Sequence, residues 1–203
     1  MEFIRNLFGL IGVLVVLIIT VVFLYFEDEA RALGEEYQAI RMLDPKAGEI
    51  YMQMWQRLKE SGNTADATVW HVPVEPGLGA EEVEESMKMI ANSRNMMFVA
   101  EQPLSQQVAL MTGKPQRFLK IFQFCDPMTA MRMVDYSDAF SAYMPCRITL
   151  VEDQQGRLNL YSLDMDMMIH GGRPLPADLY EETQRVKEIL LAIMHGGARG
   201  DFE

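Results

Sequence analysis

Two strand-like runs, Arg147 to Glu152 and Arg157 to Leu163, are joined by Asp153-Gln154-Gln155-Gly156. A four-residue turn closing on glycine folds one strand back on the next, so this stretch predicts an antiparallel hairpin. A lone hairpin is marginal in water and needs more strands or a helix layer to cover its apolar face. The flanking sequence supplies both. Thr68–Val74, Met96–Gln102 and Arg117–Phe124 are strands by their β-branched and aromatic content, and the last, with Phe118, Leu119, Ile121, Phe122 and Phe124, reads as the central one.

Helices alternate with these strands. Val83, Met87 and Ile90 form an apolar stripe in a helix from Ala80 to about Ser93. Its Glu81, Glu82, Glu84 and Glu85 read as a solvated first turn favoured by the helix dipole. Ser105 is placed to cap a short helix that Gly113 stops. Asp126 and Pro127 have the N-cap and first-turn chemistry of another, with Ala130, Met131 and Val134 facing inward. That helix falters near Tyr136-Ser137-Asp138 and resumes to Met144. Leu179, Val186, Ile189, Leu190 and Ile193 line a final helix that carries His195 near its end and stops at Gly196-Gly197. The order after Ala67 therefore predicts an α+β fold: helices packed on a mixed or antiparallel sheet of about five strands.

Ahead of this domain, Leu7 to Phe26 is uncharged and almost wholly apolar. About 20 such residues span a bilayer as a helix, so residues 1–27 read as one transmembrane anchor. Arg5 before the segment weakly favours a cytoplasmic N-terminus, which puts the following domain outside, with Arg31 and Arg41 counting against. A cleaved signal peptide is the rival reading, because Ala30-Arg31-Ala32 has the small-x-small form. Residues 28–67 then form a helical stalk or linker. It holds a helix after Asp44-Pro45 with Ala47, Ile50, Met54, Trp55 and Leu58 on one face, ended by Ser61-Gly62-Asn63. Residues 68–197 are the α+β domain and 198–203 a tail.

A formal charge of -11 and the lack of a basic stripe exclude a nucleic-acid partner. No nucleophile elbow, zinc-protease helix, phosphate loop or dinucleotide fingerprint occurs, so no catalytic residue is assigned. What stands out is soft-ligand chemistry. Asp164-Met165-Asp166-Met167-Met168-Ile169-His170 gathers thioethers and an imidazole, in a chain of 17 methionines. Thioether, thiolate and imidazole together suit Cu(I), making Met165, Met167, Met168, His170, Cys125 and Cys146 the candidate metal ligands. Methionine is equally a core filler, and Met52, Met54, Met87, Met131 and Met133 need no metal. Non-covalent haem on His and Met is a weaker variant, since no Cys-x-x-Cys-His is present. Cys125 and Cys146 can be buried thiols, a disulfide or reactive ligands, and spacing alone leaves all three open. His71 reads as a strand histidine and His195 as a helix C-terminal one.

Phe124-Cys125-Asp126-Pro127, Met144-Pro145-Cys146-Arg147 and the hairpin at Val151-Glu152-Asp153 resemble the domain of unknown function 302 family, over roughly Thr68 to Gly196. The resemblance implies a compact α+β domain of the kind found in small, often dimeric, bacterial proteins, and implies no activity. The anchor, the helices before Thr68 and the methionines depart from simpler members. Together these features lead to a single-pass protein of the bacterial inner membrane, with a periplasmic, non-enzymatic module that binds a small ligand or a soft metal. An accessory subunit of a membrane-bound or redox complex is the alternative, and a thiol-dependent redox protein a third.

Overall fold

The computed structural model describes residues 2–202, with side chains placed at 9–22, 25–26 and 31–202. The chain divides into two units, Met1–Leu43 and Asp44–Glu203. The first holds helices α1 (Glu2–Tyr25) and α2 (Glu27–Arg41). Leu33, Tyr37 and Ile40 of α2 are exposed.

Among the described residues, no helix is long and apolar enough to cross a membrane. That corrects the expectation of a transmembrane anchor at 7–26. The placement that rested on it, single-pass in the inner membrane with a periplasmic domain, is corrected with it.

The second unit is an α+β fold, built from α3 (Ala47–Ser61), α4 (Thr64–Thr68), β1 (Val69–Pro73), α5 (Ala80–Ser93), β2 (Met97–Gln102), α6 (Leu104–Thr112), β3 (Leu119–Cys125), α7 (Pro127–Tyr136), a 3-10 turn (Asp138–Tyr143), β4 (Cys146–Glu152), β5 (Leu158–Leu163), α8 (Met165–His170) and α9 (Ala177–Arg199). The five strands are ordered β1-β5-β4-β3-β2. Every neighbouring pair is antiparallel. The hairpin is β4–β5, turning at Gly156 with φ 78°. The central strand is β4, because β3 pairs with β4 on one side and the edge strand β2 on the other.

Alternation puts one sheet face in the core. Phe122 opposes Ile148, and Leu150 opposes Leu160. These four side chains are fully buried with Val83 and Met87 of α5 and Leu190, Ile193 and Met194 of α9. The Asp126 cap forms as its sequence predicts, accepting from the backbone N–H groups of Met128 and Thr129 at 3.1 Å each. The inward face of α7 is one step out of phase with expectation: Thr129 and Met133 are buried and Met131 is exposed. The predicted break at Ser137 is present, followed by the 3-10 turn. Ser105 does not cap α6. Its hydroxyl accepts from Leu119 N at 3.1 Å and donates to Leu119 O at 3.2 Å, pinning the helix to β3.

Two expectations fail where helices α5 and α9 meet. Gly196-Gly197 does not end α9, which continues to Arg199 and is closed by Gly200 with φ 68°. A Cβ on Gly196 would sit 2.2 Å from Ile90 Cδ1, and one on Gly197 2.4 Å from Met87 Cγ. The pair lets two helices approach more closely than any side chain permits, which outweighs the helix-weakening cost of glycine. Glu84 is the other failure. It is not a solvated residue but joins Lys88 (2.5 Å) and Lys120 (2.7 Å) in a network that Glu101 of β2 completes, at 2.7 Å from Lys88 and 2.9 Å from Lys120.

The helix after Asp44-Pro45 packs within the second unit. The Tyr51 hydroxyl of α3 donates to Gly171 O at 2.6 Å, and Arg57 Nη1 to Asp164 Oδ2 at 3.0 Å. The stretch 28–67 is therefore divided: its part from Asp44 is structural support for the domain. At the other end, Asp201 N bonds Gly196 O at 3.0 Å, so the chain is held past 198, and Glu203 lies outside the described residues.

Candidate functional site

The hairpin delivers β5 to Asp164, where the chain turns into α8. Asp164 caps that helix, its Oδ1 accepting from Asp166 N at 2.9 Å while Oδ2 takes the Arg57 bond. One carboxylate thus starts α8 and clips it to α3. The Met-His segment is helical over Met165–His170. Gly171 lets it end tightly, because a Cβ there would lie 2.3 Å from Met167 O.

The clipped turn leaves space beside it. A cavity of about 470 Å³ lies between α3, the 3-10 turn, α8, the loop after it and the ends of β4 and β5. Its walls are mainly apolar: Tyr51, Phe140, Tyr143, Met165, Met167 and Met168 set their character. Leu190 of α9 also contributes. A concave, largely apolar space of this size with a few polar groups is the usual form of a small-molecule site.

Three polar groups matter. Arg147 at the start of β4 and Arg173 in the loop after α8 line the cavity. Ser162 of β5 also lines it and is 5% exposed. The lining carboxylate, Asp164, is already satisfied by Arg57 and the α8 backbone.

A second, smaller cavity of about 40 Å³ adjoins these elements and is lined by Cys125, Cys146, Met133, Met144, Met165 and Met168, among others. Four of the six candidate metal ligands, Cys125, Cys146, Met165 and Met168, therefore meet around one space. Met167 faces the large cavity instead. His170 is drawn elsewhere. It is 3% exposed and lies edge-on to Tyr180, at 5.7 Å between ring centres. Gln184 Nε2 is 3.3 Å from its Nε2, which makes that nitrogen the acceptor. Its Nδ1 lies 3.2 Å from Asp44 Oδ1 and has no hydrogen-bond partner among the described residues. His170 thus joins α8 to α9, with Asp44 beside it.

The cysteines are free thiols. Burial, with the neighbouring Cys125 second, pushes the Cys146 thiol up to about 11. Burial and then the Asp126 charge also raise Cys125. Both are held protonated at neutral pH, the opposite of what a thiolate nucleophile needs. Among the described residues, no group of three or more His, Cys, Asp or Glu is arranged to hold a metal ion. His71 stacks on Tyr161 at 4.6 Å and its Nε2 lies 2.8 Å from Asn159 Oδ1, as suits a strand histidine. His195 is exposed on α9.

Sequence reasoning picked the Met-His segment but missed the aromatic wall and the arginines. The aromatics come from α3 and the 3-10 turn, which lie far from α8 in sequence. The one local hint was the Tyr143-Met144-Pro145-Cys146-Arg147 run.

The sequence profile described as "Domain of unknown function DUF302" matches residues 70–194. No curated protein matches the chain. Among solved structures, the crystal structure of an uncharacterized conserved protein DUF302 from Bacillus stearothermophilus is similar, at 15% identity and TM-score 0.52. The likeness covers 65% of this chain and 98% of that one, and at this identity it bears on the fold alone.

Proposed function

We propose that this chain, which belongs to the DUF302 family, is a non-enzymatic binding module for a small, largely apolar organic molecule. One observation carries the reading: a cavity of about 470 Å³ walled by aromatic and thioether side chains. Thioethers are flexible and polarisable, so a wall of Met165, Met167 and Met168 adapts to a ligand's shape without recruiting a charge. Thiols raised by burial favour binding over thiolate chemistry. Titration with the neutral dye 1-N-phenylnaphthylamine tests it. Saturable fluorescence enhancement at one site per chain, abolished by Met167→Trp, is expected. Enhancement that does not saturate, or that survives Met167→Trp, sinks the reading.

A second reading rests on the smaller cavity, where Cys125, Cys146, Met165 and Met168 converge. Two thiols and two thioethers suit Cu(I). Because both thiols are held protonated, the ion has to displace their protons, and affinity rises with pH. Competition for Cu(I) against a chromogenic chelator, repeated with Cys125→Ser/Cys146→Ser, decides it. Equal competition by the two proteins removes the metal.

A further inference from the structure

We infer that the large cavity selects an amphipathic organic anion, an acid such as a medium-chain carboxylate, with its charged end at Arg147 and Arg173. The inference rests on the binding reading above and adds the chemical class.

The charge balance of the cavity carries it. The chain has 29 acidic and 18 basic residues, so a cavity that gathers arginines without a free carboxylate departs from the balance of the whole. Arg57, Arg132, Arg157, Arg185 and Arg199 pair with carboxylates, while Arg117, outside the cavity, bonds a backbone carbonyl and Arg41 lies over the Tyr37 ring. Arg147 and Arg173 line the cavity, and neither has a carboxylate partner among the described residues. Asp164, the acidic side chain in the same wall, is neutralised by Arg57 and has both oxygens engaged. The cavity thus carries two uncompensated positive charges beside an apolar wall. Guanidinium forks match planar carboxylates with two parallel hydrogen bonds. Both arginines are exposed, so the charged end of a ligand stays partly hydrated while its apolar body reaches inward. Deeper in, Ser162 is nearly buried, and its hydroxyl has no hydrogen-bond partner among the described residues. It offers a polar contact to a ligand oxygen and fixes orientation without adding charge.

The test uses the full chain and displacement of 1-N-phenylnaphthylamine by decanoate and by decan-1-ol. The two share a chain length and differ in charge. Decanoate is expected to displace the dye at a concentration about tenfold lower, the scale of one charge-assisted hydrogen bond. In Arg147→Gln/Arg173→Gln that preference falls to within about threefold, while the dye, being neutral, still binds and reports a folded cavity. The preference also shrinks as salt is raised, because the arginines are exposed. Equal displacement by the two compounds in the native protein, or an undiminished preference in the double variant, overturns the anion inference and leaves the binding reading standing. A native protein that fails to bind the dye overturns both.

Discussion

Helix α9 borders two regions of opposite packing. At Gly196 and Gly197 it approaches α5 so closely that a single added carbon has no room. At Leu190, less than two turns earlier, it borders a cavity of about 470 Å³. Both regions use methionine: Met87 and Met194 are sealed in the first, while Met165, Met167 and Met168 line the second. The same residue type fills one space and leaves the other open, so the opening follows from how the chain is arranged, not from a shortage of apolar side chains.

The contrast is sharpest at Gly197. Gly197→Leu forces bulk against Met87, which is fully buried. A loss of about 3 kcal/mol in urea unfolding is expected, and a loss below about 1 kcal/mol would mean that α5 and α9 are not tightly joined. Next comes the cavity wall. Asp164→Ala removes the α8 cap and the Arg57 bond together. A cost of about 2 kcal/mol is expected, with weaker dye binding than stability alone explains. Unchanged binding would detach the cavity from its clip.

The Lys88–Glu84–Lys120–Glu101 network gives a smaller, pH-dependent effect. Hydrogen bonds from Lys88 and then Lys120 hold the Glu101 carboxyl down to about 2, from an ordinary 4.5. A depressed carboxyl stabilises the fold above its unfolded value, and the contribution is lost as pH falls from about 4.5 toward 2. These groups are partly solvated, so the amount is under about 1 kcal/mol. The melting temperature of Glu101→Gln should therefore lie below that of the native protein at pH 7 and converge with it near pH 2. A gap that stays constant with pH would contradict the network's role. The smallest effect is expected in the cavity itself. Met167→Trp should shift stability by less than about 1 kcal/mol in either direction, while abolishing dye binding. A large destabilisation there would show that the space is not free to be filled.

Much of the fold was legible because its signals are local. The hairpin, the Asp126 cap, the break at Ser137 and the stripes of α5 and α9 each lie within a few residues of their cause. What was not legible depends on partners distant in sequence. Gly196-Gly197 obeys the stop rule until α5 is brought against it. Glu84 looks solvated until Lys120 arrives from β3. The central position of β4 is a property of strand order, which no strand carries alone. The site divides the same way. The sulfur-rich segment was visible, but its histidine turns toward Asp44 and Gln184, and the cavity exists only where α3, the 3-10 turn and α8 meet. The anchor expected at 7–26 was drawn from hydropathy alone, and the described helices do not bear it out.

The Arg57–Asp164 and Tyr51–Gly171 contacts have a consequence for how much of the chain the cavity needs. The family match begins at residue 70, yet both contacts start from α3, upstream of it. The matched stretch contributes the sheet and the helices behind it, whereas Tyr51, in one wall of the cavity, comes from sequence upstream of the match. A fragment cut at residue 70 would keep the sheet and forfeit that part of the wall.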